Sequence, residues 1–363
     1  MIKKTAKKDR AMQRLTKRPS GLAMVILALI AGLAVFIVYD VWHSHTERGQ
    51  YGIADTYAGE NLYRSLDLKV TAKARYYSSP IRIYKDLGKK DGLHQQEFEY
   101  DVKDDGLTEY GLVVKPSSCS SGGCPVLILL HGYINPRRYR TDRDYLSDME
   151  FYARHGFLVV KPDLRGQGLS IHSGSPVSAY YSIGYNTDVM SLISAIKQTK
   201  GMDASNISLW GHSLGAYIAL RAAVLSPDIK NTILLSGPVD SLEEMYITYL
   251  PPSDENNPNA LADRANMFAK YGTPAENPSF WRDASPIYFL SHIKGRVQIH
   301  VGLRDTVVAP KFSADLNSAL NKAGISHQYY TYPDGRHSLW PQRSQIYSRS
   351  LRLLEEGLPL SSA

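Results

Sequence analysis

Cysteine is scarce in this 363-residue chain: only Cys119 and Cys124 occur. That excludes a disulfide-rich scaffold, and with no histidine pair beside them the two do not compose a zinc site. A Walker lysine motif is missing, and Gly166 and Gly168 lack the G-x-G-x-x-G spacing, so no phosphate cradle for nucleotide chemistry is present. No low-complexity tract and no repeat period occurs, which excludes arrays and solenoids. Most of the chain also lacks a charge excess. The formal net charge is +7, but Lys3, Lys4, Lys7, Lys8, Arg10, Arg14, Lys17 and Arg18 face only Asp9 within residues 1–20. The rest is neutral, which argues against a nucleic-acid-binding surface.

What is present first is an uncharged run, Gly21–Tyr39, GLAMVILALIAGLAVFIVY. As a helix it is roughly 28 Å long, about the thickness of a bilayer's hydrocarbon core. A buried core helix would not be apolar on every face behind eight cations. A cleaved signal peptide is the nearer rival, but no A-x-A-like site follows the run and the basic region is long. The expectation is an uncleaved, single-pass signal anchor. It has a cytoplasmic tail (1–20), a span (21–39) and everything from Asp40 onward outside the cytoplasm. In that compartment the loop Lys115-Pro-Ser-Ser-Cys119-Ser-Ser-Gly-Gly-Cys124 can close as a disulfide, the alternative being two free surface thiols.

With 43% hydrophobic and 21% charged residues, the composition is that of a globular protein, long enough for one large domain plus something extra. Residues 40–95 read as a stalk or N-terminal extension, with Leu66–Ile83 alternating weakly. Two period-2 runs, Glu97–Val102 and Leu107–Val114, flank Lys103-Asp-Asp-Gly106 and predict a β-hairpin that opens the folded domain at about residue 96. Apolar strands then alternate with helical segments, the pattern of a mostly parallel sheet with crossover helices. Strands are expected at Val126–Leu130, Phe157–Lys161, Ile207–Trp210, Thr232–Leu235, Val297–Val301 and Gln328–Tyr332. Helices are expected at Asp142–His155, Tyr185–Thr199, from the elbow through Ala223, Phe312–Ala323 and Gln342–Glu356. An insertion at about 241–285, with Pro251-Pro252 and a helical stretch Ala260–Tyr271, lies between two core strands; a lid is one reading and a solvated surface insertion the other.

The chain turns on Asn206–Val224, NISLWGHSLGAYIALRAAV. A strand, then Gly211-His212-Ser213-Leu214-Gly215, then an Ala-rich helix is the context of a nucleophile elbow. Gly211 and Gly215 leave room for the tight turn that carries Ser213. A serine hydroxyl is a poor nucleophile at neutral pH and needs a base oriented by a carboxylate. Following Ser213 in chain order, Asp305 lies past the Val297–Val301 strand and His337 past the Gln328–Tyr332 strand. His327 is read as preceding its strand, His300 as lying inside one and His292 as sitting in a connection. Asp334 is local to His337 and reads as a turn cap. The oxyanion hole is expected from the Leu214 amide and from Tyr133, through its amide or its hydroxyl, with His131 and Gly132 shaping that loop. Arg137, Arg138, Arg140 and Arg143 either hold an anionic substrate group or form a solvated helix face. No metal or cofactor is required.

LILLHGY, DLRGQGLS, LWGHSLGAY, the stretch from ASP to IHVGLRDTVVAP, and YPDGRHSL together resemble the α/β-hydrolase fold. More narrowly, residues 97–357 are similar to the catalytic domain of prolyl oligopeptidase-like (S9) serine hydrolases and to dienelactone-hydrolase-like esterases. The resemblance implies a sheet of about eight strands flanked by helices, with the nucleophile on Ser213, the acid on Asp305 and the base on His337. Two departures stand out. Ala216 occupies a position where S9 peptidases usually carry a second glycine, and the fifty or so residues between the apolar run and this region cannot supply the propeller of those peptidases. The expected activity is therefore hydrolysis of small-molecule esters, with short-peptide cleavage second and a silent binding module third.

Overall fold

The computed structural model describes residues 65–119, 122–171, 184–246 and 258–356. The expected tail, the apolar run, residues 40–64 and the middle of the insertion lie outside the described residues. Among the described residues no helix is long and apolar enough to cross a membrane.

Nine strands form one sheet: β1 (Arg82–Lys90), β2 (Leu93–Val102), β3 (Leu107–Lys115), β4 (Cys124–Leu130), β5 (Leu158–Pro162), β6 (Met202–His212), β7 (Ile229–Leu235), β8 (Arg296–Gly302) and β9 (His327–Tyr332). Their order across the sheet is β1-β2-β3-β5-β4-β6-β7-β8-β9. The pairs from β1 to β3 and β3 with β5 are antiparallel, and from β5 to β9 every pair is parallel. The expected hairpin is present, with Val102 opposite Leu107 at its turn. Nine strands rather than about eight arise because β1 joins the edge of β2.

The longer helices are α1 (Leu146–Arg154), α2 (Gly184–Gln198), α3 (Leu214–Leu225), α4 (Pro258–Tyr271), α5 (Pro310–Ala323) and α6 (Arg343–Glu355). Because successive side chains of a strand point to opposite faces, β4 feeds two cores at once. Val126, Ile128 and Leu130 join the core shared with α2, α3 and α5. Leu127 and Leu129 join the core shared with α1 and α6. Both faces are covered, and that is why the parallel strands read as unbroken apolar runs. Helix α5 has Pro310 in its first turn and ends at Gly324 with φ 68°, a start and a stop legible in the residues.

The folded unit begins before residue 96, so part of the stretch read as stalk belongs to the sheet and its surroundings. Leu66 and Leu68 are buried, and the buried Arg221 of α3 donates to the Leu66 carbonyl at 3.0 Å, to Ala284 O at 2.7 Å and to Asn186 Oδ1 at 3.0 Å. One α3 side chain therefore ties down the N-terminal segment, α2 and the end of the insertion. The insertion has its own apolar cluster, in which Leu242, Met245, Tyr246, Trp281 and Ala284 meet Tyr217 of α3 and Phe312 of α5. Its two ends are joined through Ser285, whose hydroxyl donates to Trp281 O and accepts from the Leu242 amide at 2.7 Å.

Cys119 and Cys124 form a disulfide, with their Cα atoms 4.9 Å apart. Helix α1 starts at Leu146 rather than at Asp142. The Asp144 carboxylate accepts from the Arg140 amide at 2.7 Å and closes a turn there, and Tyr145 enters the helix in a left-handed conformation with φ 62°. His327 is the first residue of β9 rather than preceding it.

Candidate active site

Ser213 sits between β6 and α3 with φ 54° and ψ −122°, a conformation that non-glycine residues rarely adopt. The strain is held in place because the turn is closed by backbone on backbone. A Cβ on Gly211 would lie 2.3 Å from Gly215 O, and one on Gly215 would lie 1.9 Å from Leu130 O. No side chain fits at either point, which supplies the steric reason for the two glycines. The Ser213 amide donates to Leu235 O at 2.9 Å, fastening the elbow to β7.

The structure brings Ser213, His337 and Asp305 together although 124 residues separate Ser213 from His337. His337 Nε2 lies 2.9 Å from Ser213 Oγ, and its Nδ1 lies 2.9 Å from Asp305 Oδ2. Asp305 Oδ1 accepts from the amides of Val307 at 2.8 Å and Val308 at 2.9 Å. Its side chain is fully buried. Burial alone would raise its pKa, but the bond from His337 and the amides of Val308 and Val307 outweigh it, and the carboxyl is held below the ordinary value.

The loops carrying the acid and the base interlock. Gly302 and Gly335 face each other, and a Cβ on Gly302 would lie 2.4 Å from the Gly335 carbonyl carbon. Leu303 N donates to Tyr332 O and Arg304 N to Gly335 O, both at 2.9 Å. Asp334, beside His337 in sequence, instead pairs with Arg304 at 3.0 Å on the surface. The other histidines are engaged elsewhere. His300 is buried between Tyr332 and Gln298, and burial pushes its pKa down to about 3. His327 bonds Asn317 and Ile325 O, and the His292 ring contacts Phe289.

The loop after β4 carries His131, Gly132 and Tyr133. His131 is buried, stacks on Tyr139 at 4.4 Å and bonds Gly132 O at 2.8 Å, and burial pushes its pKa down to about 3. Tyr133 is about half exposed. Leu214 opens α3, so its amide has no carbonyl one turn earlier to bond. Under this loop, Lys161 donates to Tyr139 Oη at 2.9 Å and to Thr141 O at 2.8 Å. Asp163 in turn accepts from Tyr139, Thr141 and the Leu169 amide. The arginine run lies in turns ahead of α1 rather than on a helix face. Arg140 donates to the carbonyls of Arg137 and Tyr139, and Arg143 to Arg138 O and Asp144.

Sequence reasoning passed over His212 and Tyr145. Tyr145 Oη lies 2.6 Å from His212 Nδ1 and 3.0 Å from the Gly132 amide, and His212 Nε2 lies 2.9 Å from the His337 carbonyl. It also missed Arg165, whose guanidinium is buried between Asp188 and Asp105 and links α2 to the β2–β3 turn. A cavity of about 590 Å³ beside α6, lined by Tyr330, Arg349 and Arg352, contains none of these residues. Among the described residues no group of three His, Cys, Asp or Glu is placed to hold a metal ion.

Known proteins resemble this chain in sequence and in fold. The prolyl endopeptidase FAP of Mus musculus is 24% identical over 274 residues, which is 72% of this chain but 33% of that protein. A Rickettsia prowazekii protein, RP471, is 22% identical over 136 residues, 38% of this chain and 55% of that one. The chain thus spans between a third and just over half of the curated relatives it matches. Among solved structures, an acetyl xylan esterase from Paenibacillus sp. R4 superposes with a TM-score of 0.59 at 19% identity, covering 78% of this chain and 91% of the esterase. Porphyromonas gingivalis dipeptidyl peptidase 4 superposes with a TM-score of 0.55 at 22% identity, covering 78% and 36%. These likenesses establish an α/β-hydrolase fold. The sequence pattern of the prolyl oligopeptidase family matches residues 144–355, more than half of the chain. The chain belongs to the prolyl oligopeptidase family of serine hydrolases.

Proposed function

We propose that the chain is a membrane-anchored hydrolase that cleaves carboxylic esters through an acyl-enzyme on Ser213. The observation that carries this reading is the bonded path from Asp305 through His337 to Ser213, with both links at 2.9 Å. A carboxylate accepts only, so His337 Nδ1 holds the proton and donates it to Asp305. Nε2 is then left as acceptor for the Ser213 hydroxyl. Ser213 Oγ attacks the carbonyl carbon as its proton passes to Nε2, and the Leu214 and Tyr133 amides hold the oxyanion. The imidazolium then protonates the leaving alkoxide, which departs as an alcohol. A water molecule gives its proton to Nε2 and attacks the acyl carbon, releasing the acid and restoring Ser213.

Ester cleavage is placed before peptide cleavage for two reasons. The fold covers 91% of the Paenibacillus esterase but only 36% of the Porphyromonas peptidase. Ala216 also stands beside the elbow where the peptidases usually carry glycine, and its methyl is accommodated by Gly237, where a Cβ would lie 2.4 Å from Ala216 Cβ. Short peptides are the second reading, supported by the FAP relative. A silent binding module would leave no reason for a fully bonded Ser213. The charge-free run at 21–39 behind its cations supports a span with the hydrolase outside the cytoplasm, and the disulfide fits that compartment.

The test uses the full-length chain, wild type and Ser213→Ala, with p-nitrophenyl esters of increasing chain length, aminoacyl-p-nitroanilides and a fluorophosphonate probe. Ester turnover and probe labelling that vanish together in Ser213→Ala support the reading, and anilide turnover alone promotes the peptide reading. Absence of labelling at Ser213 in the wild type overturns both. A reporter fused after Ala363 that is active only in the cytoplasm overturns the proposed orientation.

A further inference from the structure

Ser213 and Tyr145 are both non-glycine residues held at positive φ, 54° and 62°. Such conformations persist only where the surroundings over-determine them. Tyr145 is not among the three residues that carry the chemistry, yet its side chain reaches the residue next to Ser213. Its hydroxyl meets the Gly132 amide at 3.0 Å and His212 Nδ1 at 2.6 Å, and the other nitrogen of His212 meets the His337 carbonyl at 2.9 Å.

Donor and acceptor roles along this path have only one solution. The His337 carbonyl can only accept, so His212 Nε2 carries the hydrogen. Burial pushes the His212 pKa down to about 3, so the ring is neutral and Nδ1 is an acceptor. The Tyr145 hydroxyl therefore donates to Nδ1, and its oxygen accepts from the Gly132 N–H. The path begins at the oxyanion loop, crosses the elbow and ends at the backbone of the base. Gly132 is itself pressed against the elbow, since a Cβ there would lie 3.1 Å from both His212 Nδ1 and Ser213 Cβ. The three functional loops come from the ends of β4, β6 and β9, which are not all neighbours in the sheet. A path of side-chain bonds across them fixes spacings that strand pairing alone does not.

We propose that Tyr145 and His212 are positioning residues that hold the oxyanion loop, Ser213 and His337 at reacting distance, and so set turnover rather than substrate affinity. This rests on the hydrolase reading above. Without the Tyr145 hydroxyl, His212 Nδ1 and the Gly132 amide lose their shared partner, and the oxyanion loop is no longer tied to the elbow by this path. Displacements of about 1 Å at a reacting centre cost on the order of 100-fold in rate.

The experiment measures p-nitrophenyl acetate hydrolysis by the full-length chain as wild type, Tyr145→Phe, His212→Ala, His212→Gln and the Tyr145→Phe/His212→Ala double variant, with a thermal midpoint for each. Glutamine can place an amide N–H near the position of Nε2 and restore the bond to the His337 carbonyl. The expected result for Tyr145→Phe is a kcat lower by roughly 10- to 100-fold with KM within about twofold. His212→Gln should keep more of kcat than His212→Ala, and the double variant should be no slower than His212→Ala, since both changes break one path. Unchanged kcat in Tyr145→Phe, losses that multiply in the double variant, or a His212→Gln variant no faster than His212→Ala overturns the proposal. If Tyr145→Phe fails to fold, the His212→Gln and His212→Ala pair still decides it. Wild-type protein inert to both ester and fluorophosphonate defeats the hydrolase reading instead, so the two failures are distinguishable.

Discussion

Replacing Asp305 by asparagine separates the electronic role of the carboxylate from its structural one. Oδ1 of Asp305 accepts two amides, from Val307 and Val308, while Oδ2 faces His337 Nδ1. In Asp305→Asn the amide oxygen must stay with the two backbone donors, because turning the NH2 toward them would set donor against donor. The NH2 then faces Nδ1, which can meet it only as an acceptor. His337 is thereby forced to carry its proton on Nε2, aimed at Ser213 Oγ, and cannot accept the serine proton. Forcing the wrong tautomer in a serine triad costs about 10⁴ in kcat, or about 5.4 kcal/mol of barrier. Fold stability should change little, since both amide bonds survive and only a charge-assisted bond, worth about 1–3 kcal/mol, is weakened. The carboxyl pKa is depressed in the fold. Its contribution to stability is therefore present above the ordinary carboxyl value near pH 4 and lost as pH falls below it. The wild-type advantage over Asp305→Asn in thermal midpoint should shrink on acidification through that range. Ester kinetics at neutral pH and calorimetry from pH 7 to 3 give both readouts. A kcat loss under tenfold in a variant that remains folded would refute the tautomer argument and remove Asp305 from the mechanism.

Three further outcomes follow from the packing. Arg165→Met leaves Asp188 and Asp105, each with a side chain under 5% exposed, without their cation. Denaturant titration should show a loss of about 3–5 kcal/mol, and adding Asp188→Asn should recover part of it. Gly215→Ala places a methyl carbon 1.9 Å from Leu130 O with backbone on both sides, so the elbow must open. We expect a stability loss of roughly 3 kcal/mol or more, together with loss of fluorophosphonate labelling. Cys119 and Cys124 should yield no free thiol when the full-length chain is unfolded under non-reducing conditions. Because the bridged cysteines are only five positions apart in the chain, Cys119→Ser/Cys124→Ser should cost about 2 kcal/mol on the chain-entropy scale. Two titratable thiols in protein recovered from an oxidising compartment would refute the bridge.

The strands and helices of the parallel half of the sheet were legible because burial on both faces forces continuous apolar runs, and the loops at their C-terminal ends announced where polar residues would gather. The same logic gave Asp305 and His337, each just past a strand end. The edge was not legible. Strand β1 is almost wholly exposed and its register slips between Ile83 and Lys85 and between Asp86 and Gly88. It therefore presents no period-2 pattern, and Arg82 holds it to β2 through Glu99 and Asp101 instead.

Buried cations defeat composition arguments for a related reason. Arg165 and Arg221 each fasten segments far apart in the chain, and a charged residue in a sequence carries no mark of the carbonyls or carboxylates that will surround it. Tyr145 and His212 are the sharpest case. They are 67 residues apart, the first sits in a run that read as a charged helix face, and the second lies inside the most recognisable motif of the chain. A motif states which residue reacts and which glycines make room for it. It does not state which neighbour fixes the distance to the base, because that depends on a tyrosine placed by an unrelated turn. In this chain the turn exists because Asp144 caps the Arg140 amide and sends Tyr145 into a left-handed conformation over the elbow. A substitution at Asp144 should therefore reach Ser213 without touching it, lowering kcat through Tyr145 while leaving the bonds among Ser213, His337 and Asp305 chemically intact.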